Sequence, residues 1–488
     1  MKQGFDNEKY LRIQSERIKE RIAQFGDKLY MEFGGKLYDD YHASRVLPGF
    51  QPDSKLRMLM QLKDDVEIII VISAEDIERN KVRGDLGITY NEDVLRLRDV
   101  FTDRGLLVSS VVITHFNGQA SAVAFREQLE RLGRVRVYYH YLIEGYPTNV
   151  ELIDSEEGFG KNDFVETSRP LVVVTAPGPG SGKMAVCLSQ LWGENRRGVK
   201  AGYAKFETFP IWSIPLKHPV NVAYEAATAD LNDVNMIDHF HLEAYGKTSV
   251  NYNRDIEIFP VLNAIFEGIY GESPYKSPTD MGVNMAGFCI SDDEVCCEAS
   301  KQEIIRRYYA ALGEMLDGKK GNDEVNKIAL LMKQMKLTTA SRPTTVAAYE
   351  RRLQSGNPSA AIELEDGTII TADTSDLLGP CAALLLNATK YLAGIDHALK
   401  LIPQDMIVPI QRMKTSMLHG NNPRLHTDEV LIALAVLSQH DDNCRRALDT
   451  LPQLDGCQVH ATVMLGEVDR KIFKKLGCGL TCDPIRKV

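Results

Sequence analysis

The chain has 488 residues, enough for roughly two to four domains, because single hydrophobic cores stop growing near ~250–300 residues. With 44% hydrophobic and 25% charged residues it reads as a globular protein, which excludes a disordered chain or a coiled coil. A formal charge of −10 excludes a general nucleic-acid coat, since neutralising phosphates needs clustered Lys and Arg.

In chain order, the first 26 residues are charged and helically periodic at Leu11, Ile18, Ile22 and Phe25, with no apolar core of the signal-peptide kind. The longest apolar runs, VEIIIVIS and LIALAVL, fall far short of the ~20 residues that span a bilayer. A cytoplasmic location is expected, with neither membrane nor nucleic acid as a partner. The nine cysteines form no CxxC pair, so they read as reduced thiols rather than a disulfide framework or a zinc knuckle.

Six short β-branched or aromatic runs follow: KLYMEF (28–33), VEIIIVIS (66–73), SSVVITHF (109–116), RVYYHYL (136–142), LVVVTA (171–176) and AGYAKFET (201–208). Amphipathic stretches such as DVLRLRDVFTDRG and SAVAFREQLERLG lie between them, each closed by a glycine. That alternation predicts an α/β fold with a mainly parallel sheet covered by helices, Rossmann or P-loop-like, over residues 1–240. Residues 241–356 read as a connector and helical region. Residues 357–488 read as a smaller α/β subdomain that opens on the hairpin AIELEDGTIITAD.

The stretch TAPGPGSGKM, between a strand and a helix, carries the clearest chemistry. In a phosphate-binding loop, glycines let backbone N–H groups converge on phosphate oxygens, a Lys reaches the terminal phosphates, and a Ser or Thr hydroxyl holds Mg²⁺. Gly178, Gly180, Ser181, Gly182 and Lys183 fit the anion-gripping part, with Lys183 as the catalytic cation. Pro177 stands where the first glycine belongs and Met184 where the metal-holding hydroxyl belongs, leaving Ser181 as a substitute anchor. The ligand expected is ATP or GTP with Mg²⁺, or a phosphorylated small molecule held without metal. A plain Gly/Pro turn that binds nothing is the competing reading.

Asp76 and Asp238 are the best-placed supporting acids. After the first strand, FGGKLYDDYHASR offers Lys36, His42, Ser44 and Arg45 as a cationic wall facing a second substrate, with His42 and Arg45 as catalytic candidates and Lys36 as a further cofactor-binding cation, or an ordinary turn and helix start. In DHFHLE, a strand would put His239, His241 and Glu243 on one face as metal ligands, whereas a helix would align only His239 and Glu243. A polar edge without metal is the alternative. Arg254 and Asp255 read as a surface ion pair before a strand-like run, and Thr374 or Ser375 as a helix N-cap.

The phrases FGGKLYDDYHASRVLPGF, TAPGPGSGKMAVCLSQL, AGYAKFETFPIWSIPLKHPVNVAYEAATADL, SPTDMGVNMAGF and TSDLLGPCAALLLNATK resemble a bacterial family known only as domain-of-unknown-function family 1846, or uncharacterised protein family 0371. The resemblance covers essentially the whole chain. It implies a cytoplasmic multi-domain α/β protein whose C-terminal subdomain is similar in fold to cytidine deaminases. It brings no settled activity and no catalytic residues. Three functions stay open: an ATP- or GTP-dependent transferase or ligase, a sensor or regulator of a phosphorylated metabolite, and a metal-dependent hydrolase. A homo-oligomer is compatible with each.

Overall fold

The computed structural model describes residues 2–485 apart from positions 27, 36, 39, 84, 85 and 134. All six predicted runs become strands: β1 Leu29–Phe33, β2 Val66–Ser73, β3 Leu107–Phe116, β4 Arg136–Tyr141, β5 Leu171–Thr175 and β6 Gly202–Phe206. They form one sheet in the order β4-β3-β2-β5-β1-β6, with every neighbouring pair parallel. β1, β2, β5 and β6 are buried along their whole length, as strands covered on both faces must be.

The chain divides into two compact units, one of residues 2–225 with 231–297 and one of 226–230 with 298–488. The connector expected over 241–356 is therefore split near residue 297. The reason lies in NRDIEIFPVLNAIFEGIY, which forms the helix Asn253–Tyr270 rather than a strand. Its Phe259, Leu262, Ile265, Phe266 and Ile269 recur at helical spacing and join Tyr30, Val172, Val174, Val186 and Leu191 in the core of the first unit. Burial of that apolar stripe outweighs the β propensity of its short IEIF segment.

In the second unit the predicted hairpin forms as β7 Ser359–Glu363 and β8 Ile369–Asp373, with Gly367 at φ 83° in the turn. β9 Gln458–Ala461 and β10 Gly479–Cys482 complete a mixed sheet of order β8-β7-β9-β10. β7 runs antiparallel to both neighbours and β9 parallel to β10. The following helix starts only at Pro380, with Gly379 as N-cap. Thr374 instead donates to the Pro358 carbonyl, and the Ser375 hydroxyl accepts from the N–H groups of Leu377 and Leu378. Among the described residues no helix is long and apolar enough to cross a membrane.

Candidate functional site

In a parallel sheet the open crevice lies where neighbouring strands send their connections in opposite directions. The chain leaves β2 toward β3 on one side and leaves β5 toward β6 on the other, so that point falls between β2 and β5. The Gly/Pro loop emerges there, between the end of β5 at Thr175 and the helix Lys183–Arg196.

The loop is built for a close backbone turn. Gly180 and Gly182 adopt φ of 74° and 82°, a left-handed region costly for other residues. A Cβ on Gly178 would lie 2.2 Å from the Tyr90 hydroxyl oxygen. Thr114, at the end of β3, donates to the Ser181 carbonyl at 2.7 Å and anchors the loop to the sheet. Gly182 is the helix N-cap and brings no capping side chain, so the first-turn N–H groups are left to another acceptor. Lys183, half-buried, is the first helical residue.

Ser181 is only 1% exposed and its hydroxyl donates to the Gly178 carbonyl at 3.2 Å, so it braces the loop from inside. Met184 packs against the apolar core. Neither offers a hard oxygen to Mg²⁺. Asp76 follows β2, and its Oδ1 pairs with Lys81 at 3.2 Å; the Lys81 ammonium in turn lies 4.8 Å from the centre of the Tyr90 ring. Asp238 is spent on structure: Oδ1 caps the helix His239–Tyr245, while Oδ2 accepts from the N–H and the hydroxyl of Thr279.

The β1–β6 side carries a polar row that the sequence did not announce. Period-2 alternation puts Tyr203, Lys205 and Glu207 on one face, and the register sets Glu32 beside Lys205. Tyr203 donates to Glu32 at 2.8 Å, and Lys205 reaches Asp255 at 2.5 Å and Glu207 at 3.0 Å. Burial alone would push the Lys205 ammonium down, but Asp255, Glu207 and Glu32 together hold it well above its ordinary value. Burial pushes the Glu207 carboxyl up to about 7, against the pull of Lys205 and with help from Asp255. Glu32 and Lys183 both act on the buried Cys187 thiol, in opposite directions, which puts the loop lysine and this row in one electrostatic neighbourhood.

Of the cationic wall, Lys36 lies outside the described residues. Asp40 caps the short helix Tyr41–Val46 and pairs with buried Lys55 at 2.8 Å. His42 stands edge-on to Phe209 and Tyr224, while Arg45 is exposed on the same helix. Gly34 brings this stretch against Glu207, whose Cγ would be 2.5 Å from an added Cβ. His42 thus neighbours the polar row through aromatic packing rather than as part of a wall of cations.

The DHFHLE segment folds as the helix His239–Tyr245, which separates the three proposed metal ligands. His241 turns to the Ser277 hydroxyl at 3.0 Å, His239 lies against Phe240, and Glu243 is exposed. A strand would have aligned all three; 3.6 residues per turn does not. Arg254 and Asp255 likewise part company, Arg254 pairing with Asp233 at 3.5 Å. A cavity of about 530 Å³ opens against the later turns of the loop helix, walled by Trp192, Arg196 and Phe164. Arg196 is there engaged by Glu156 and stacked on Trp192, so its charge is already used.

Residues 3–336 match the N-terminal part and residues 340–487 the C-terminal part of the domain of unknown function DUF1846. The chain belongs to the DUF1846 family. Its relatives include the UPF0371 protein of Corynebacterium aurimucosum, 59% identical over 99% of this chain and 97% of that protein. A UPF0371 protein of Corynebacterium diphtheriae is 58% identical and one of Streptococcus pyogenes serotype M5 is 55% identical, with the same coverage. These DUF1846 relatives span the same two matched regions over nearly their full length, and their names carry no activity.

Proposed function

We propose that this DUF1846 protein binds the phosphate group of a small phosphorylated molecule through residues 177–183, without a loop-held metal. One observation carries the reading: an uncapped helix N-terminus headed by Lys183 opens at the sheet's topological switch point, while Ser181 faces inward and Met184 faces the core. N–H groups and partial positive charge at a helix N-terminus favour an anion, and Lys183 adds a full charge. The Rossmann or P-loop-like description of the first unit rests on the same parallel sheet and loop. An ATP- or GTP-dependent transferase would need Mg²⁺ held from elsewhere.

Glu207 favours turnover over passive sensing. A carboxyl that changes protonation near neutrality, beside a lysine and two other carboxylates, suits general acid–base work on the bound molecule. The mixed sheet of the second unit supports the deaminase-like likeness of its fold. Its sequence lacks the H-x-E and P-C-x-x-C motifs that supply the zinc ligands and the acid–base Glu of that chemistry, so we assign it no zinc deamination.

Calorimetric titration with inorganic phosphate, pyrophosphate and ATP, each with and without Mg²⁺, tests the reading. Binding indifferent to Mg²⁺, weakened about tenfold or more by Lys183→Ala, is the expected result. No binding by any of the three, or affinity unchanged in Lys183→Ala, refutes it. Binding of ATP alone and only with Mg²⁺ would restore the transferase reading.

A further inference from the structure

His218, Asp293 and Cys297 bring three ligand atoms of different chemistry within 4.8 Å of one another, the one such group of three or more among the described residues. His218 immediately precedes the helix Pro219–Ala227; Asp293 and Cys297 lie one turn apart on the helix that begins at Asp293. Nε2 of His218 is 2.9 Å from Asp293 Oδ1 and 3.5 Å from Cys297 Sγ, and that sulfur is 3.7 Å from Asp293 Oδ2. Bonds of ~2.0–2.1 Å to N and O and ~2.3 Å to S make the edges of a tetrahedral zinc site about 3.3–3.6 Å. The three observed separations bracket that range.

We propose that His218, Asp293 and Cys297 form a zinc site with three protein ligands and an open fourth position. Thiolate with imidazole selects zinc over Mg²⁺ or Ca²⁺, which prefer oxygen alone. His218 is 9% exposed and its backbone N–H donates to the Pro215 carbonyl, whereas the Asp293 side chain is 63% exposed. The remaining coordination position therefore opens toward solvent, as in sites where zinc binds a water or a substrate atom.

The neighbouring Cys296 takes no part: it is buried and its Sγ donates to the Gly4 carbonyl. In the metal-free arrangement the Val220 N–H donates to Nδ1 at 3.3 Å, so the ring proton sits on Nε2 and faces Asp293. Zinc at Nε2 shifts that proton to Nδ1, forfeiting the long Val220 bond. It also displaces the proton of the Cys297 thiol to solvent, one per metal bound. The site owes nothing to the phosphate loop, and neither reading depends on the other.

The test is cobalt(II) titration of the full-length, tag-free chain after treatment with chelator, followed by absorption. One cobalt per chain with a thiolate-to-metal charge-transfer band is expected, with competition by one equivalent of zinc. Cys297→Ser should abolish the band, and Asp293→Asn should weaken cobalt binding about tenfold or more. His239→Ala should leave both unchanged. Asp293 is exposed, so Asp293→Asn stays informative even if Cys297→Ser fails to fold. No stoichiometric cobalt, a band that persists in Cys297→Ser, or Asp293→Asn binding as tightly as the parent overturns the proposal.

Discussion

At the scale of single residues, Glu207 has the most consequential environment. Its carboxyl is held near 7 in the folded protein against an ordinary value of 4.5, with burial as the main cause. The folded chain therefore binds this proton more tightly than the unfolded chain. The resulting stabilisation is fully present below about pH 4.5 and lost as pH rises through about 7. Relative to Glu207→Gln, the parent should lose at most about 3 kcal/mol of unfolding free energy between pH 5 and 8, measured by urea titration at each pH. A parent and variant with parallel pH profiles would show that Glu207 is ordinarily ionised. Gly178 makes a second residue-scale case: Gly178→Ala meets the Tyr90 hydroxyl oxygen and should cost about 1–3 kcal/mol by the same measurement. Gly182→Ala should cost about 1 kcal/mol, since φ of 82° strains any residue with a Cβ and Thr114 stands 3.2 Å from the new atom.

Elements behave as the sum of such local demands with the packing around them. The helix 253–270 and the helix 239–245 both arise in sequence that also reads as strand, and in each the neighbours decide. The first presents an apolar stripe that only helical spacing can hold against β5 and the loop helix. In the second, Asp238 caps the N-terminus and Gly246, at φ 64°, closes the C-terminus. In the other unit the side chain of Arg342 is fully buried and ties two strands together, donating to the Val459 carbonyl at 3.2 Å and to the Gly479 carbonyl. Burial, with the charge of Arg306, pulls its guanidinium down to about 10, so it stays charged at neutral pH. Removing it takes a charged donor from both carbonyls, of which Val459 keeps the Thr481 hydroxyl at 3.0 Å: Arg342→Leu should destabilise β9 and β10 by about 1–3 kcal/mol.

At the scale of the whole molecule, two units with separate cores make stability local. Tyr30, Val172 and Leu191 belong to one core, while Ile362, Leu385, Val459 and Phe473 belong to another. Hydrogen exchange on Arg342→Leu should show faster exchange in 458–461 and 479–482, with protection of the six-stranded sheet unchanged. Loss of protection across both units would mean that they unfold as one. The formal charge of −10 adds a second whole-molecule constraint. An anionic ligand approaches an acidic protein, so any phosphate affinity must come from the few N–H groups and the lysine at the loop rather than from a general field.

The sequence alone determined the six strands of the large sheet, their parallel pairing and the position of the loop between the fifth strand and its helix. Short continuous apolar runs separated by glycine-closed helices admit little else. It also placed glycines at positions 180 and 182, where the loop takes positive φ, and Lys183 at the first position of the helix that follows. The polar row of Glu32, Lys205, Glu207 and Asp255 was illegible. Its members lie up to 223 positions apart, and only sheet register and a covering helix make them neighbours. The same holds for His218, Asp293 and Cys297, where the DHFHLE cluster looked richer in ligands because proximity along the chain is visible and proximity in space is not. Tertiary structure decided which titratable groups share a site, since that depends on long-range packing and burial, and local sequence encodes neither.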